Sequence, residues 1–175
     1  LMALLLQKEG INARSWQGWQ IPIKTTDNHS NARILSVGTK NLKEKFLEGM
    51  QVAIIAGFQG ISTNNRVTTL GRGGSDTSAV ALAAAIKAER CDIYTDVDGI
   101  YTTDPRITSN AKKLDKVSYE EMLELASLGA KVLHTRSVEL AMQYKVKLRV
   151  LNSFNEGTGT ILCDEEDIME KRVVS

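Results

Sequence analysis

The chain has little cysteine, little histidine, no excess of either charge and no long apolar run. Two cysteines in 175 residues, Cys91 and Cys163, are too few for a disulfide framework and suit a reducing compartment. Two histidines, His29 and His134, lie about a hundred positions apart, and with isolated cysteines they make no zinc-ligand pattern. Lysine plus arginine number 22 and aspartate plus glutamate 21. The resulting net charge of +1 gives no electrostatic case for nucleic acid or an anionic membrane surface. Every apolar run falls far short of the ~20 residues of a membrane-spanning helix. The opening L-M-A-L-L-L-Q-K-E-G has no basic leader and no small-residue cleavage site, so it does not read as a secretory signal. It reads as the end of a helix closed at Gly10. Neither chain end carries start or stop punctuation, which predicts a piece of a longer polypeptide. No internal repeat, low-complexity tract or long linker is present.

What is there is an ordinary globular composition, 42% hydrophobic and 25% charged. A domain of this size buries ~70% of the surface that its unfolded chain exposes. Alternation predicts a strand over 32–37, and Leu42, Phe46 and Leu47 at helical spacing predict a helix over 39–50. A buried-strand pattern covers 51–56, a loop 58–74 and a helix Ser75 to about Arg90. A short strand over 92–95 precedes a polar loop with Gly99 and Pro105. Ser118 and Glu121 form an S-x-x-E capping box that opens a helix ending at Gly129. A further helix fits 134–144, and strands fit 147–151 and 160–163. Strand–helix alternation of this kind implies an α/β protein with a mainly parallel sheet covered by helices. Ligands of such sheets bind outside the carboxyl ends of the strands, where the loops after 51–56 and 92–95 are expected to lie along one edge.

The first of those loops ends in T-T-L-G-R-G-G-S-D-T-S-A, residues 68–79. Gly71, Gly73 and Gly74 permit tight turns and close backbone approach, directly before a helix-forming run. A helix N-terminus offers unpaired N–H groups and partial positive charge, so the loop is built to hold an anion. Arg72 adds a planar fork of donors suited to carboxylate or phosphate. Asp76 is a carboxylate where a bare anion site would not want one, which points to a cation at the same place. The spacing matches neither the dinucleotide fingerprint nor the P-loop. A plain strand-to-helix turn with Ser75 as N-cap needs fewer glycines than the loop has.

The second loop, Y-T-D-V-D-G-I-Y-T-T-D-P-R, spans 94–106. Asp98-Gly99 and Asp104-Pro105 are turn dipeptides, so turn formation accounts for Asp98 and also suits Asp104. It does not account for an arginine and a tyrosine beside them. On a functional reading Tyr101 packs on a flat ring and Arg106 pairs with phosphate; the residues alone leave both readings open. The D-x-D-G run lacks the later ligands of a calcium loop. His29 reads as a solvated loop residue and His134 as a helix-start residue. Trp16 and Trp19 fit either a core or a cleft wall. Ser36 and Ser118 have no nucleophile-elbow context. Lys131, in G-A-K-V-L, reads on spacing as a cation offsetting the dipole of the preceding helix.

Together the two loops resemble those of aspartokinase, in the amino acid kinase superfamily. G-F-Q-G at 57–60, G-A-K-V-L at 129–133, G-W-Q at 18–20 and D-x-x-H-x-x-A-R-I from Asp27 to Ile34 extend the similarity over essentially the whole chain. R-G-G-S-D is the most specific part. The resemblance implies a three-layer α/β/α sandwich around a mainly parallel sheet. It implies ATP-dependent phosphorylation of the β-carboxylate of L-aspartate, opening lysine, threonine, methionine and diaminopimelate synthesis. Arg72 would hold the α-carboxylate of aspartate, with Phe58, Gly73, Gly74 and Ser75 beside it. Asp76 would act in catalysis by orienting the family's lysine. Tyr94, Thr95, Asp96, Tyr101, Asp104, Arg106 and Lys131 would contact ATP. Mg2+ would be bound mainly through ATP, with no protein metal site. The implied partners are L-aspartate and ATP, with no nucleic acid and no membrane, in a cytoplasmic enzyme that is a homo-oligomer at full length. The lysine belongs to a K-F-G-G-T-S strand that these 175 residues do not contain. Regulatory ACT domains are absent as well. The expectation is therefore a partial catalytic domain over 1–175, inactive alone. Asn64-Asn65-Arg66 departs from the family's glycine-containing loop tip. The alternatives are another member of the superfamily, of glutamate 5-kinase or uridylate kinase type, or a non-catalytic nucleotide-binding module. Asp76 after R-G-G-S argues against the first.

Overall fold

The computed structural model describes residues 1–130 and 132–169, which fall into two units, Leu1–Ile86 and Lys87–Ser175. The first unit runs α1 (Met2–Lys8), β1 (Ala13–Trp16), β2 (Ile23–Thr25), β3 (Ile34–Val37), α2 (Lys40–Leu47), β4 (Val52–Ile55), β5 (Gln59–Ile61), β6 (Val67–Thr69) and α3 (Gly74–Ile86). Helix α1 ends ahead of Gly10, whose φ of 80° is open to glycine without strain. Strand β1 pairs in parallel with β4, from Ala13↔Val52 to Trp16↔Ile55. A second ladder has the order β3-β2-β5-β6. Its tightest point is Gly60 in β5, where a Cβ would lie 2.3 Å from Thr25 Cγ2 and 2.7 Å from the Ile23 carbonyl oxygen. Next to it the buried hydroxyls of Thr25 and Thr68 share a 2.6 Å hydrogen bond.

Trp16, Ile21, Leu42 and Met50 form one buried cluster of this unit, with Leu82 and Ile86 of α3 packed on it. Helix α2 docks by one face, since Leu42 is 1% exposed and Leu47 88%. Burying a leucine or isoleucine side chain of this kind contributes about 1.5–3 kcal/mol. The alanine-rich α3 is a strong helix former. It stops at Ile86 rather than near Arg90 because Lys87 takes a left-handed φ of 59°.

The second unit runs β7 (Cys91–Thr95), β8 (Ile100–Tyr101), β9 (Lys113–Leu114), β10 (Lys116–Ser118), α4 (Tyr119–Ser127), α5 (Thr135–Tyr144), β11 (Leu148–Asn152), β12 (Thr160–Cys163) and α6 (Glu165–Met169). Its main ladder has the order β10-β12-β11-β7, and β8 pairs with β9. The capping box closes as expected: Ser118 Oγ accepts from the Glu121 N–H, and the Glu121 carboxylate accepts from the Ser118 N–H. Tyr119 beside it is buried, and its hydroxyl donates to the Val146 carbonyl at 2.8 Å. Burial pushes that phenol far above its ordinary pKa. His134 caps α5 by accepting from the Arg136 N–H, and Lys145 closes the helix in a left-handed conformation.

The α/β class expected from alternation holds. Parallel pairings join β1–β4, β2–β5, β7–β11 and β10–β12, each across an intervening crossover. Antiparallel pairings join strands that follow one another in sequence: β2–β3, β5–β6, β8–β9 and β11–β12. Chain connectivity explains the division, because a parallel neighbour requires a long return and an antiparallel one only a turn. Three expectations need correction. The 58–74 stretch is not all loop, since β5 and β6 form a hairpin in it. The 96–106 loop contains β8. The helix expected to start at Ser75 begins one residue earlier, at Gly74. These strands of two or three residues are too short to show an alternation.

Candidate functional site

Strand β4 delivers the chain to Gly57 and Phe58, and the β5–β6 hairpin returns it to the glycine loop. Phe58 holds a left-handed φ of 68°, a conformation that costs a non-glycine residue roughly 1–2 kcal/mol. Two hydrogen bonds hold it there. Its N–H donates to Ser78 Oγ at 3.1 Å, and its carbonyl accepts from the Leu70 N–H at 3.0 Å. Ser78 Oγ in turn donates to the Ser75 carbonyl at 2.8 Å, tying Phe58 to the first turn of α3. Gly71 and Gly73 take φ of 77° and 70°, so the turn before α3 needs both. Gly74 has another reason: a Cβ there would lie 2.8 Å from Leu70 Cβ and from Phe58 Cδ2.

The loop therefore presents a defined set of groups. Arg72 and Ser75 are exposed, and neither side chain makes a hydrogen bond or ion pair among the described residues. Asp76 is half-buried in the first turn of α3 and engaged within the protein. Phe58, 45% exposed, lies against Gly74. Phe58, Arg72, Gly73, Gly74, Ser75 and Asp76 are thus brought together at one helix N-terminus. A fork of donors, a hydroxyl and an unsaturated helix end suit a carboxylate.

In the second unit β7 ends in Tyr94 and Thr95, and Tyr94 is 64% exposed. Thr95 Oγ1 donates to the Asp96 carboxylate at 3.1 Å, while the Thr95 carbonyl accepts from the Ser153 N–H at 2.8 Å. Asn152 donates to the Asp96 carbonyl at 3.3 Å. The segment after β11 is thereby laced to the segment after β7. The Tyr101 hydroxyl donates to both Asp98 oxygens, at 3.0 and 3.1 Å, and that bond raises its pKa. Arg106 engages Asp104 through Nε at 3.1 Å and Nη2 at 3.0 Å. The guanidinium holds the Asp104 carboxyl below the usual carboxylate range, and the Asp96 charge also acts on Arg106. The segment from Tyr94 to Arg106 thus carries three local pairs, Thr95 with Asp96, Tyr101 with Asp98 and Arg106 with Asp104. Lys131 lies outside the described residues.

Sequence reasoning missed Ser78, which supports Phe58 from 20 positions away, and Asn152, which supports the second loop. Neither has a local signal, because each acts through the tertiary fold. It also missed Phe154, which is 83% exposed and, with Tyr94, lines a cleft of about 370 Å³. Trp16 belongs to the core, whereas Trp19 lines a cleft of about 550 Å³ with Thr25, Leu35 and Thr63. Among the described residues no three His, Cys, Asp or Glu side chains cluster to hold a metal ion. No helix among them is long and apolar enough to cross a membrane.

Comparison with known proteins gives this geometry a context. The chain is 54% identical over 176 aligned residues to an aspartokinase of Rickettsia bellii, covering 100% of this chain and 43% of that protein. It is 53% identical to an aspartate kinase of Pseudomonas fluorescens, covering 100% of this chain and 42% of that one. The chain thus spans less than half the length of these relatives. Among solved structures it is similar to Escherichia coli aspartokinase III in complex with aspartate and ADP. That likeness has a TM-score of 0.82 and 36% identity, and covers 93% of this chain and 37% of the other. Residues 1–152 match the model of the Amino acid kinase family, and the chain belongs to that family.

Proposed function

We propose that this chain carries the substrate loops of an aspartate kinase, which transfers the γ-phosphoryl group of ATP to the β-carboxylate of L-aspartate. The observation that carries the reading is the helix-start loop of Arg72, Ser75 and Phe58, in a chain more than half identical to aspartokinases. Arg72 takes the α-carboxylate of aspartate in a forked pair, and Ser75 adds a hydroxyl donor. Gly73 lets the substrate approach the backbone, and Gly74 lets Phe58 pack against the helix start. Phe58, fixed by Ser78, walls the site. Asp76 orients the lysine of a K-F-G-G-T-S strand, which these 175 residues do not supply. Thr95, Asp96, Tyr94, Tyr101, Arg106 and Lys131 serve the nucleotide. Magnesium is held mainly by the phosphates and neutralises their charge. Positioning and charge neutralisation dominate such transfers, so the protein needs no covalent intermediate. The setting we propose is a cytoplasmic homo-oligomer.

The test places this chain in the corresponding stretch of the Rickettsia bellii aspartokinase and measures ADP release with each acceptor. Turnover with L-aspartate is expected, and none with L-glutamate or UMP. A folded chimera that prefers either of those acceptors refutes the reading. The 175-residue chain alone is expected to bind ATP–magnesium without turnover above background.

A further inference from the structure

We infer that Asp98 and Asp104 are positioning residues, which hold Tyr101 and Arg106 in place for a nucleotide and touch none themselves. The inference rests on the nucleotide reading above and changes the role of Asp104 within it. Three donors of one residue converge on the Asp104 carboxylate. The Arg106 backbone N–H reaches Oδ1 at 2.9 Å, Nε reaches Oδ1 at 3.1 Å and Nη2 reaches Oδ2 at 3.0 Å. The pair fixes one edge of the guanidinium and leaves Nη1 and the outer N–H of Nη2 for a second anion. The Asp104 backbone is fixed too, because its carbonyl accepts from the N–H groups of Ile107 at 3.0 Å and Thr108 at 3.3 Å.

Asp98 repeats the arrangement. Both its oxygens accept from the Tyr101 hydroxyl, and Lys113 Nζ lies 3.7 Å from Oδ2. Tyr101 and Lys113 are register partners in the β8–β9 pair, so the sheet holds both groups that face Asp98. Electrostatics make the same point. A loop that receives a polyphosphate and carries Asp96, Asp98 and Asp104 would repel it if all three charges faced the ligand. Two of the three are already paired within the protein, Asp98 with Tyr101 and Lys113 and Asp104 with Arg106. The Arg106 side chain is 88% exposed, and an exposed pair contributes little to folding stability. Its effect belongs in nucleotide affinity, where a pre-oriented fork loses less freedom on binding.

The test is a fluorescence titration of the chain with N-methylanthraniloyl-ATP and magnesium, together with a thermal melt of every variant. Asp104→Ala is expected to weaken binding about three- to tenfold, the net size of one ordinary hydrogen bond, with no change in melting midpoint. Asp104→Asn keeps an acceptor and is expected to fall between wild type and Asp104→Ala. In an Arg106→Ala background Asp104→Ala is expected to cost nothing further, and Asp98→Ala nothing further in Tyr101→Phe. Full additive losses in those backgrounds overturn the inference. So does tighter binding by Asp104→Ala, which would show charge repulsion outweighing orientation. If Arg106→Ala weakens binding while Asp98→Ala and Asp104→Ala do not, the positioning role fails and the nucleotide reading stands. If wild type shows no saturable binding, or Arg106→Ala and Tyr101→Phe are both neutral, the nucleotide reading itself fails.

Discussion

Ser78 and Ser75 lie one turn apart on α3, yet their replacement by alanine should separate stability from substrate binding. Ser78 is 4% exposed, and its hydroxyl accepts from the Phe58 N–H and donates to the Ser75 carbonyl. Ser78→Ala leaves the Phe58 N–H without that partner, at a cost of about 1–3 kcal/mol. It also removes one of two bonds that hold Phe58 in a left-handed conformation. Alanine returns roughly 0.5 kcal/mol through better helix propensity and loss of the back-bond to the i−3 carbonyl. The net expectation is a destabilisation of about 0.5–2.5 kcal/mol, with weaker L-aspartate binding as Phe58 relaxes. Ser75 is exposed, and only its backbone carbonyl is engaged in this network. Ser75→Ala should therefore stay within about 0.5 kcal/mol of wild type in stability while weakening L-aspartate binding. Urea melts followed by circular dichroism give the first quantity, and calorimetric titration with L-aspartate the second. A Ser78→Ala melt that overlays wild type refutes the reasoning. A Ser75→Ala variant less stable than Ser78→Ala refutes it equally.

Three further outcomes are expected. Gly159 has φ 68°, and a Cβ there would lie 2.1 Å from the Val150 carbonyl oxygen, so Gly159→Ala should cost more than about 3 kcal/mol and yield mostly insoluble protein on expression. Tyr119→Phe removes the buried donor to Val146 and should lower the urea midpoint by the equivalent of about 1–2 kcal/mol; an unchanged midpoint would mean the bond contributes nothing net. Burial raises the Asp92 pKa, but hydrogen bonds from Arg149 and Arg90 outweigh it, and the net shift is downward. A depressed folded-state pKa gives stability that is present above the unfolded value and lost as pH falls through the folded one. The stability gap between wild type and Asp92→Asn should thus be full at neutral pH and close below about pH 4; urea midpoints at pH 7 and pH 3 measure it, and a gap independent of pH contradicts the assignment.

Much of this protein was legible in one dimension because the relevant physics is local. Helix ends at Gly10, Ser118 and Gly129 follow from caps and glycine conformations within a few residues of each position. The apolar patterns over 32–37 and 160–163 mark strands, although β3 buries no residue fully and β12 buries three of its four. The two loops announced themselves by composition, since few backbones need glycine at 71, 73 and 74, and few turns need both Tyr101 and Arg106. The short strands β1, β2, β5, β6, β8, β9 and β10 were not legible. Strands this short carry no measurable period.

The sequence by itself determined side-chain chemistry: Arg72 as a donor fork suited to carboxylate or phosphate, and Ser118 as a helix start. Tertiary structure alone decided what each is engaged with. Phe58 takes a conformation that nothing nearby in sequence requires, because Ser78 reaches it from the buried side of α3. The resemblance implies Asp104 as a nucleotide contact; the fold shows its carboxylate accepting from Arg106. Asn152 and Ser153 brace Thr95 and Asp96 because β11 and β7 run side by side in parallel. Residue chemistry is set by the side chain and is readable at once. Partnership is set by the backbone path, which is known only when the chain has folded.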